Sequence, residues 1–253
     1  MGRVISVSNQ KGGVGKTTTT VNLAAFLGAK GKKVLIIDID PQGNAGFGVS
    51  VNAEELQTTI YEVLIGEIGI EEAIFNTEYP NLDIVPANIH LSGAQIDMMD
   101  LEGKEFKLKE AVKKIADFYD YVLIDCPPSL GLLTLNALVA ADTVLIPLQC
   151  EYYALEGLSQ LLRIISMVQE NINKQLGIEG VVLTMYDSRT KLSQHVVTDV
   201  KEYFKDKVFE TIIPRNVKLS EAPSFGQPIG VYDSGCPGSE TYEKLAEEVI
   251  NNG

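Results

Sequence analysis

Gln10-Lys11-Gly12-Gly13-Val14-Gly15-Lys16-Thr17-Thr18 lies between a short apolar run, Arg3–Ser8, and a helix-period segment, Lys16–Ala29. Glycines let the backbone turn so that successive N–H groups face one point, and the positive end of the helix dipole adds to them. This is a cradle for a phosphate chain. Gly12, Gly13, Val14 and Gly15 supply backbone to it, Lys16 reaches the β- and γ-phosphates, and Thr17 can place its hydroxyl on Mg²⁺, with Thr18 following on the helix. The reading therefore requires a nucleotide with β- and γ-phosphates, and Mg²⁺. The loop departs from G-x-x-x-x-G-K-[ST] because Gln10 occupies the first glycine position and Lys11 adds a second lysine.

Outward from the loop, short apolar runs at Arg3–Ser8, Lys33–Asp38, Leu82–Val85, Tyr121–Asp125, Thr143–Pro147 and Gly180–Thr184 read as buried strands. Helix-period segments at Lys16–Ala29, Glu105–Phe118, Leu132–Ala140, Leu155–Asn173 and Leu192–Phe204 alternate with them. That alternation predicts an α/β, doubly wound, mainly parallel sheet. Ala53–Glu78 reads as a helical insertion and Glu240–Asn251 as a closing amphipathic helix. No repeat or low-complexity linker divides residues 1–253, so a single domain is expected.

Composition narrows the class. Hydrophobic residues are 45% and charged residues 22%, ordinary globular usage. Cys126, Cys150 and Cys236 are odd in number and lack CxxC spacing, which fits a reducing, cytoplasmic compartment better than a disulfide framework or a cysteine zinc site. The N-terminus enters a strand directly, without export features, and Met1-Gly2 is a poor lipidation signal because the strand it precedes is buried. Net charge is −13, and pI is about 4.6, so a polyanion must meet a local basic patch rather than the molecule's overall field.

Two carboxylate groups accompany the loop. Asp38-Ile39-Asp40-Pro41 ends the second strand, where strand C-termini gather beside the phosphates, although Asp-x-Asp-Pro also caps turns. Val122-Leu123-Ile124-Asp125 is an apolar strand ending in an acid, the arrangement that holds Mg²⁺ in P-loop NTPases. Cys126, next in sequence, reads as a small buried hydrophobe.

Lys11-Gly12-Gly13-x-Gly15-Lys16-Thr17 resembles the deviant Walker A motif of the ParA/MinD superfamily, P-loop NTPases of the SIMIBI class. Asp38-Ile39-Asp40-Pro41-Gln42-Gly43-Asn44 and Ile213-Pro214-Arg215-Asn216-Val217-Lys218-Leu219-Ser220-Glu221-Ala222-Pro223-Ser224 extend the resemblance over nearly the whole chain. It implies an ATPase that forms a nucleotide-sandwich homodimer, in which Lys11 crosses to the partner's phosphates as an arginine finger does. It further implies that Asp40 orients the attacking water, that Asp38 lies near the metal's outer shell, and that Asp125 acts on Mg²⁺ through water. Pro127–Gly131 corresponds to the second switch loop. Pro214 and Asn216 are expected beside the adenine, and Met185 lines the pocket or belongs to the core. Arg189 and Lys218, with Lys191 and Arg215 as weaker candidates, match positions that bind double-stranded DNA without sequence preference in relatives.

The resemblance is strongest to short, chromosomal (Soj-like) ParA proteins, which implies segregation of chromosome or plasmid, a ParB-like stimulating partner and nucleoid association. Tyr232-Asp233-Ser234-Gly235-Cys236-Pro237-Gly238 carries no cation where relatives often have arginines, which implies weaker, salt-sensitive DNA binding. A membrane-cycling ATPase like MinD is the alternative. It needs a basic apolar terminal helix, whereas Tyr242–Gly253 is acidic, so no membrane is expected. An iron–sulfur protein like the nitrogenase iron protein would need Cys126 and Cys150 as its pair, outside that family's cysteine context.

Overall fold

Runs such as Val34–Asp38 and Tyr121–Asp125 are apolar up to their last residue and buried throughout. Strands of this kind need cover on both faces, which a parallel sheet between helical layers provides. The computed structural model describes residues 2–151 and 154–252 and has this arrangement. Its strands are β1 (Arg3–Val7), β2 (Val34–Asp38), β3 (Phe75–Asn76), β4 (Leu82–Val85), β5 (Tyr121–Asp125), β6 (Thr143–Gln149), β7 (Gly177–Tyr186) and β8 (Val208–Pro214). They form one eight-stranded sheet in the order β3-β4-β2-β5-β1-β6-β7-β8, parallel except for β3 against β4.

The helices, in chain order, are α1 (Lys16–Ala29), α2 (Asn44–Gly48), α3 (Ile60–Ile65), α4 (Ala94–Asp97), α5 (Lys107–Ile115), α6 (Leu132–Ala140), α7 (Ala154–Asn171), α8 (Lys191–Phe204), α9 (Val217–Glu221), α10 (Ile229–Tyr232) and α11 (Pro237–Asn251). Strand alternation divides the core in two. Leu35, Ile37, Val122 and Ile124 face a cluster that includes Leu64, Leu108, Leu138, Leu161 and Val200 from α3 and α5 to α8. Val34, Ile36, Tyr121 and Leu123 face the other, with Leu23 and Leu27 of α1 and Tyr242, Leu245 and Val249 of α11. The apolar face of the terminal helix is thus spent inside the molecule.

Every expected strand and helix between β1 and β7 is present, with β6 and β7 running further than expected. The Ala53–Glu78 insertion is corrected, because only Ile60–Ile65 is α-helical there. A Thr59–Glu62 capping box starts that turn, and Gly66, at φ 85, ends it. The chain then makes a 3-10 turn and pairs Phe75–Asn76 with β4. β8, not anticipated, carries Ile213-Pro214 into the sheet edge. Proline fits there because its missing N–H is not needed by an outer neighbour.

Candidate nucleotide site

Parallel register sets the site. Val7 and Asp38 both pair with Asp125, so the end of β1, where the glycine loop begins, lies level with two carboxylates on neighbouring strands. The loop is braced from several sides. Asn9 donates from Nδ2 to the Pro147 carbonyl at 2.7 Å and accepts the Lys11 N–H on Oδ1 at 3.0 Å. Thr184, near the end of β7, donates to the Val14 carbonyl at 2.8 Å. Gly13 and Gly15 adopt φ values of 72° and 90°, which a side chain would strain. Among the described residues no atom outside the immediate neighbours lies within 4 Å of where a Gly13 Cβ would stand, so the cradle is open there.

Thr17 donates to Asp125 Oδ2 at 2.6 Å, and the Thr20 hydroxyl lies 3.0 Å from Asp125 Oδ1. Burial raises the Asp125 carboxyl to about 6, against the pull of those two hydrogen bonds. Burial also lowers Lys16, an effect the Asp125 charge opposes most. The Lys16 ammonium is 3.3 Å from the Lys11 carbonyl, folded beneath the loop. Among the described residues no three His, Cys, Asp or Glu side chains are gathered as a metal cluster. A hydroxyl beside a carboxylate is nonetheless the protein's usual share of a Mg²⁺ site, because phosphates and water complete the shell. The open cradle and this donor pair fit ATP with Mg²⁺.

Asp38 is fully buried, accepting the Asp40 N–H on Oδ1 and the Ala45 N–H on Oδ2. It therefore caps the turn into α2, and burial followed by the Asp125 charge raises its carboxyl. Asp40 stands at the mouth, 9% exposed, with Oδ1 accepting the Gln42 N–H. Among the described residues its Oδ2 has no hydrogen-bond partner.

The remaining candidates are more dispersed. Tyr186, beside Met185, pairs with Pro214, which brings the ends of β7 and β8 together, and Met185 has φ 52. Asn216 uses Oδ1 to cap α9 through the Lys218 N–H. A cleft of about 570 Å³ beside Thr17 and Thr18 is walled by Asn44, Phe47, Ala222, Pro223 and Gln227, and none of Met185, Pro214 and Asn216 lines it. Arg189 forms a bidentate pair with Asp187, whose carboxyl this lowers to about 2. Lys218 pairs with Glu221 and lies 5.5 Å from the Tyr232 ring centroid. Arg215 and Lys11 both reach Glu151, at 3.3 and 3.5 Å. Lys191 starts α8 and has no ion-pair partner among the described residues.

Sequence reading passed over Thr20, Thr184, Asn9 and Glu151. The unbroken threonine run Thr17–Thr20 was the available signal for the first of these. Cys126 is buried as expected, but hydrogen-bonded to Ser6 and Ser8, and burial raises its thiol to about 12. Cys150 is raised to about 12 for the same reason. Such cysteines stay protonated.

A glycine cradle at the centre of a parallel sheet, with a buried lysine, a threonine–aspartate pair and a second carboxylate at its mouth, defines a P-loop ATPase. A family model described as AAA domain matches residues 2–178. The chain is 53% identical over 253 residues to the sporulation initiation inhibitor protein Soj of Bacillus subtilis, covering all of both, and 53% identical over 250 residues to the chromosome-partitioning ATPase Soj of Treponema pallidum, covering 99% and 98%. It belongs to the Soj/ParA family of chromosome-partitioning ATPases. A solved structure named cobyrinic acid a,c-diamide synthase from Mycobacterium smegmatis, with bound ADP and magnesium, matches at TM-score 0.87 and 39% identity, covering 99% of this chain and 95% of that one. Among the described residues no helix is long and apolar enough to cross a membrane.

Proposed function

We propose that the whole chain, residues 1–253, is one nucleotide-operated unit in which two copies pair around ATP, bind double-stranded DNA without sequence preference, and separate after hydrolysis stimulated by a ParB-like protein. The observation carrying this reading is the second loop lysine. Lys16 is buried under its own cradle, whereas the Lys11 side chain is 32% exposed and, among the described residues, is held only by Glu151, at 3.5 Å. A cation held so loosely at the rim is free to serve a phosphate outside its own chain.

Within one chain, Lys16 and the backbone of Gly12–Thr18 bind the phosphates. Thr17 and Asp125 hold Mg²⁺, which when bound neutralises phosphate charge. Asp40 orients the water through its free Oδ2, while Asp38 belongs to the metal's outer shell and fixes the turn that carries Asp40. Met185, Pro214 and Asn216 recognise the base. Arg189, Lys218, Lys191 and Arg215 meet DNA phosphates, the first after exchanging Asp187 for phosphate. The protein works in the cytoplasm on the nucleoid, moving chromosome or plasmid. The membrane-cycling alternative gains no support from α11, which packs its apolar residues Tyr242, Leu245, Ala246 and Val249 into the core.

The test is DNA binding by Asp40→Ala, which should hold ATP without hydrolysing it. Light scattering should report a dimer with ATP and a monomer with ADP, and only the dimer should retard a nonspecific duplex. A dimer that ignores DNA at low salt overturns the DNA reading, and a monomer in saturating ATP overturns the pairing.

A further inference from the structure

Helix α1 begins with four consecutive threonines, Thr17–Thr20. β-Branched residues are poor helix formers, so a run of them at a helix start implies work for the side chains. Thr17 bonds Asp125 Oδ2, and the fully buried Thr19 lies 3.1 Å from the equally buried Tyr242 hydroxyl. Thr20, also fully buried, is 3.0 Å from Asp125 Oδ1 and 3.0 Å from the Lys16 carbonyl.

One hydroxyl proton cannot serve both acceptors. The Lys16 carbonyl has the helix's own N–H four residues on, whereas a carboxylate forms the stronger, charge-assisted bond. The proton therefore goes to Asp125. Spacing makes this possible, because residues three apart share a helix face and present two hydroxyls to the two oxygens of one carboxylate.

We propose that Thr20 is a positioning residue for magnesium-nucleotide binding, fixing the plane of the Asp125 carboxylate so that Oδ2 stays on Thr17. The inference rests on the reading that Thr17 and Asp125 hold Mg²⁺. Without the Thr20 hydroxyl, Oδ1 would be buried with no donor among the described residues, beside the carboxylate of Asp38 at the same register. The two threonine hydroxyls, one on each oxygen, are what fix the carboxylate's plane.

The experiment titrates Mg²⁺ into the full-length protein and follows binding of a fluorescent ADP analogue, starting from a magnesium-free baseline. Thr20→Val should raise the Mg²⁺ midpoint about tenfold, the usual effect of losing an outer-shell partner, and leave magnesium-free nucleotide affinity unchanged. Thr20→Ser should restore the wild-type midpoint. If Thr20→Val does not fold, Thr20→Ala, which only deletes atoms, should show the same shift. Asp125→Asn separates the two failures. If it shifts the midpoint while the Thr20 variants do not, the Thr20 inference is overturned and the magnesium reading stands. If Asp125→Asn also leaves the midpoint unmoved, that reading fails and the inference falls with it.

Discussion

Asp125 is kept where its charge is unwelcome. A carboxyl raised from 3.8 to about 6 by burial binds its proton more tightly in the folded state than in the unfolded one. The folded protein therefore loses stability as pH rises from about 4 to 6 and carries the whole penalty above that. Asp125→Asn should melt a few degrees higher than wild type at pH 7.5 without nucleotide, with the gap closing toward pH 4, while ATP hydrolysis falls at least about a hundredfold. Thermal unfolding across that pH range measures the first and phosphate release the second. Equal melting temperatures at pH 7.5 would show that Asp125 is not held above its ordinary value in the folded protein. Asp40 differs because only one of its oxygens is engaged. Asp40→Ala should retain ATP affinity within about threefold and lose nearly all turnover, and wild-type turnover would remove Asp40 from the mechanism.

At the scale of elements, the glycine loop is held by a neighbouring strand as much as by its own helix. Thr184 of β7 donates to the carbonyl of Val14, a residue only 1% exposed. Thr184→Val keeps the shape and removes the donor. It should cost about 1–3 kcal/mol in thermal unfolding and raise KM for ATP more than it lowers kcat. Loop glycines should also divide by geometry. Gly15, at φ 90, cannot take a side chain without strain, whereas Gly12 is not at positive φ and, among the described residues, a Cβ there meets only Pro128 Cβ at 3.9 Å. Gly12→Val should therefore fold and bind ADP normally but fail to pair in ATP when placed in the Asp40→Ala background. Light scattering that still shows a dimer would mean the two loops do not approach each other.

For the whole molecule, charge decides what binding can look like. With net charge −13, the proposed DNA attraction would have to come from a few cations, and Arg189 and Lys218 are already engaged by Asp187 and Glu221. If Arg189, Lys191, Lys218 and Arg215 of both copies each met a phosphate, log K would fall against log salt with a slope of about −7. Internal pairing predicts a shallower slope, and Arg189→Ala should reduce it by about one per chain. A filter-binding series from low to moderate salt gives this number directly.

Sequence alone determined the parallel α/β class and the position of the phosphate loop. Each depends on a local pattern: uniformly apolar short runs, a helical period, and glycines preceding Lys16-Thr17. Asp125 was legible for the same reason, as an acid ending an apolar strand. How the carboxylates are held was decided only in three dimensions. Asp38 and Asp40 are two residues apart and look alike in sequence, yet Asp38 is fully buried with both oxygens on backbone amides, whereas Asp40 is 9% exposed and, among the described residues, has one oxygen without a hydrogen-bond partner. Thr20, Thr184 and Glu151 act on partners 105, 170 and 140 residues away, a juxtaposition set by strand order and register rather than by spacing along the chain. β8 and the broken helix after Thr59 were settled in the same way, because an edge position tolerates Pro214 and Gly66 stops the turn that the apolar period alone would have continued.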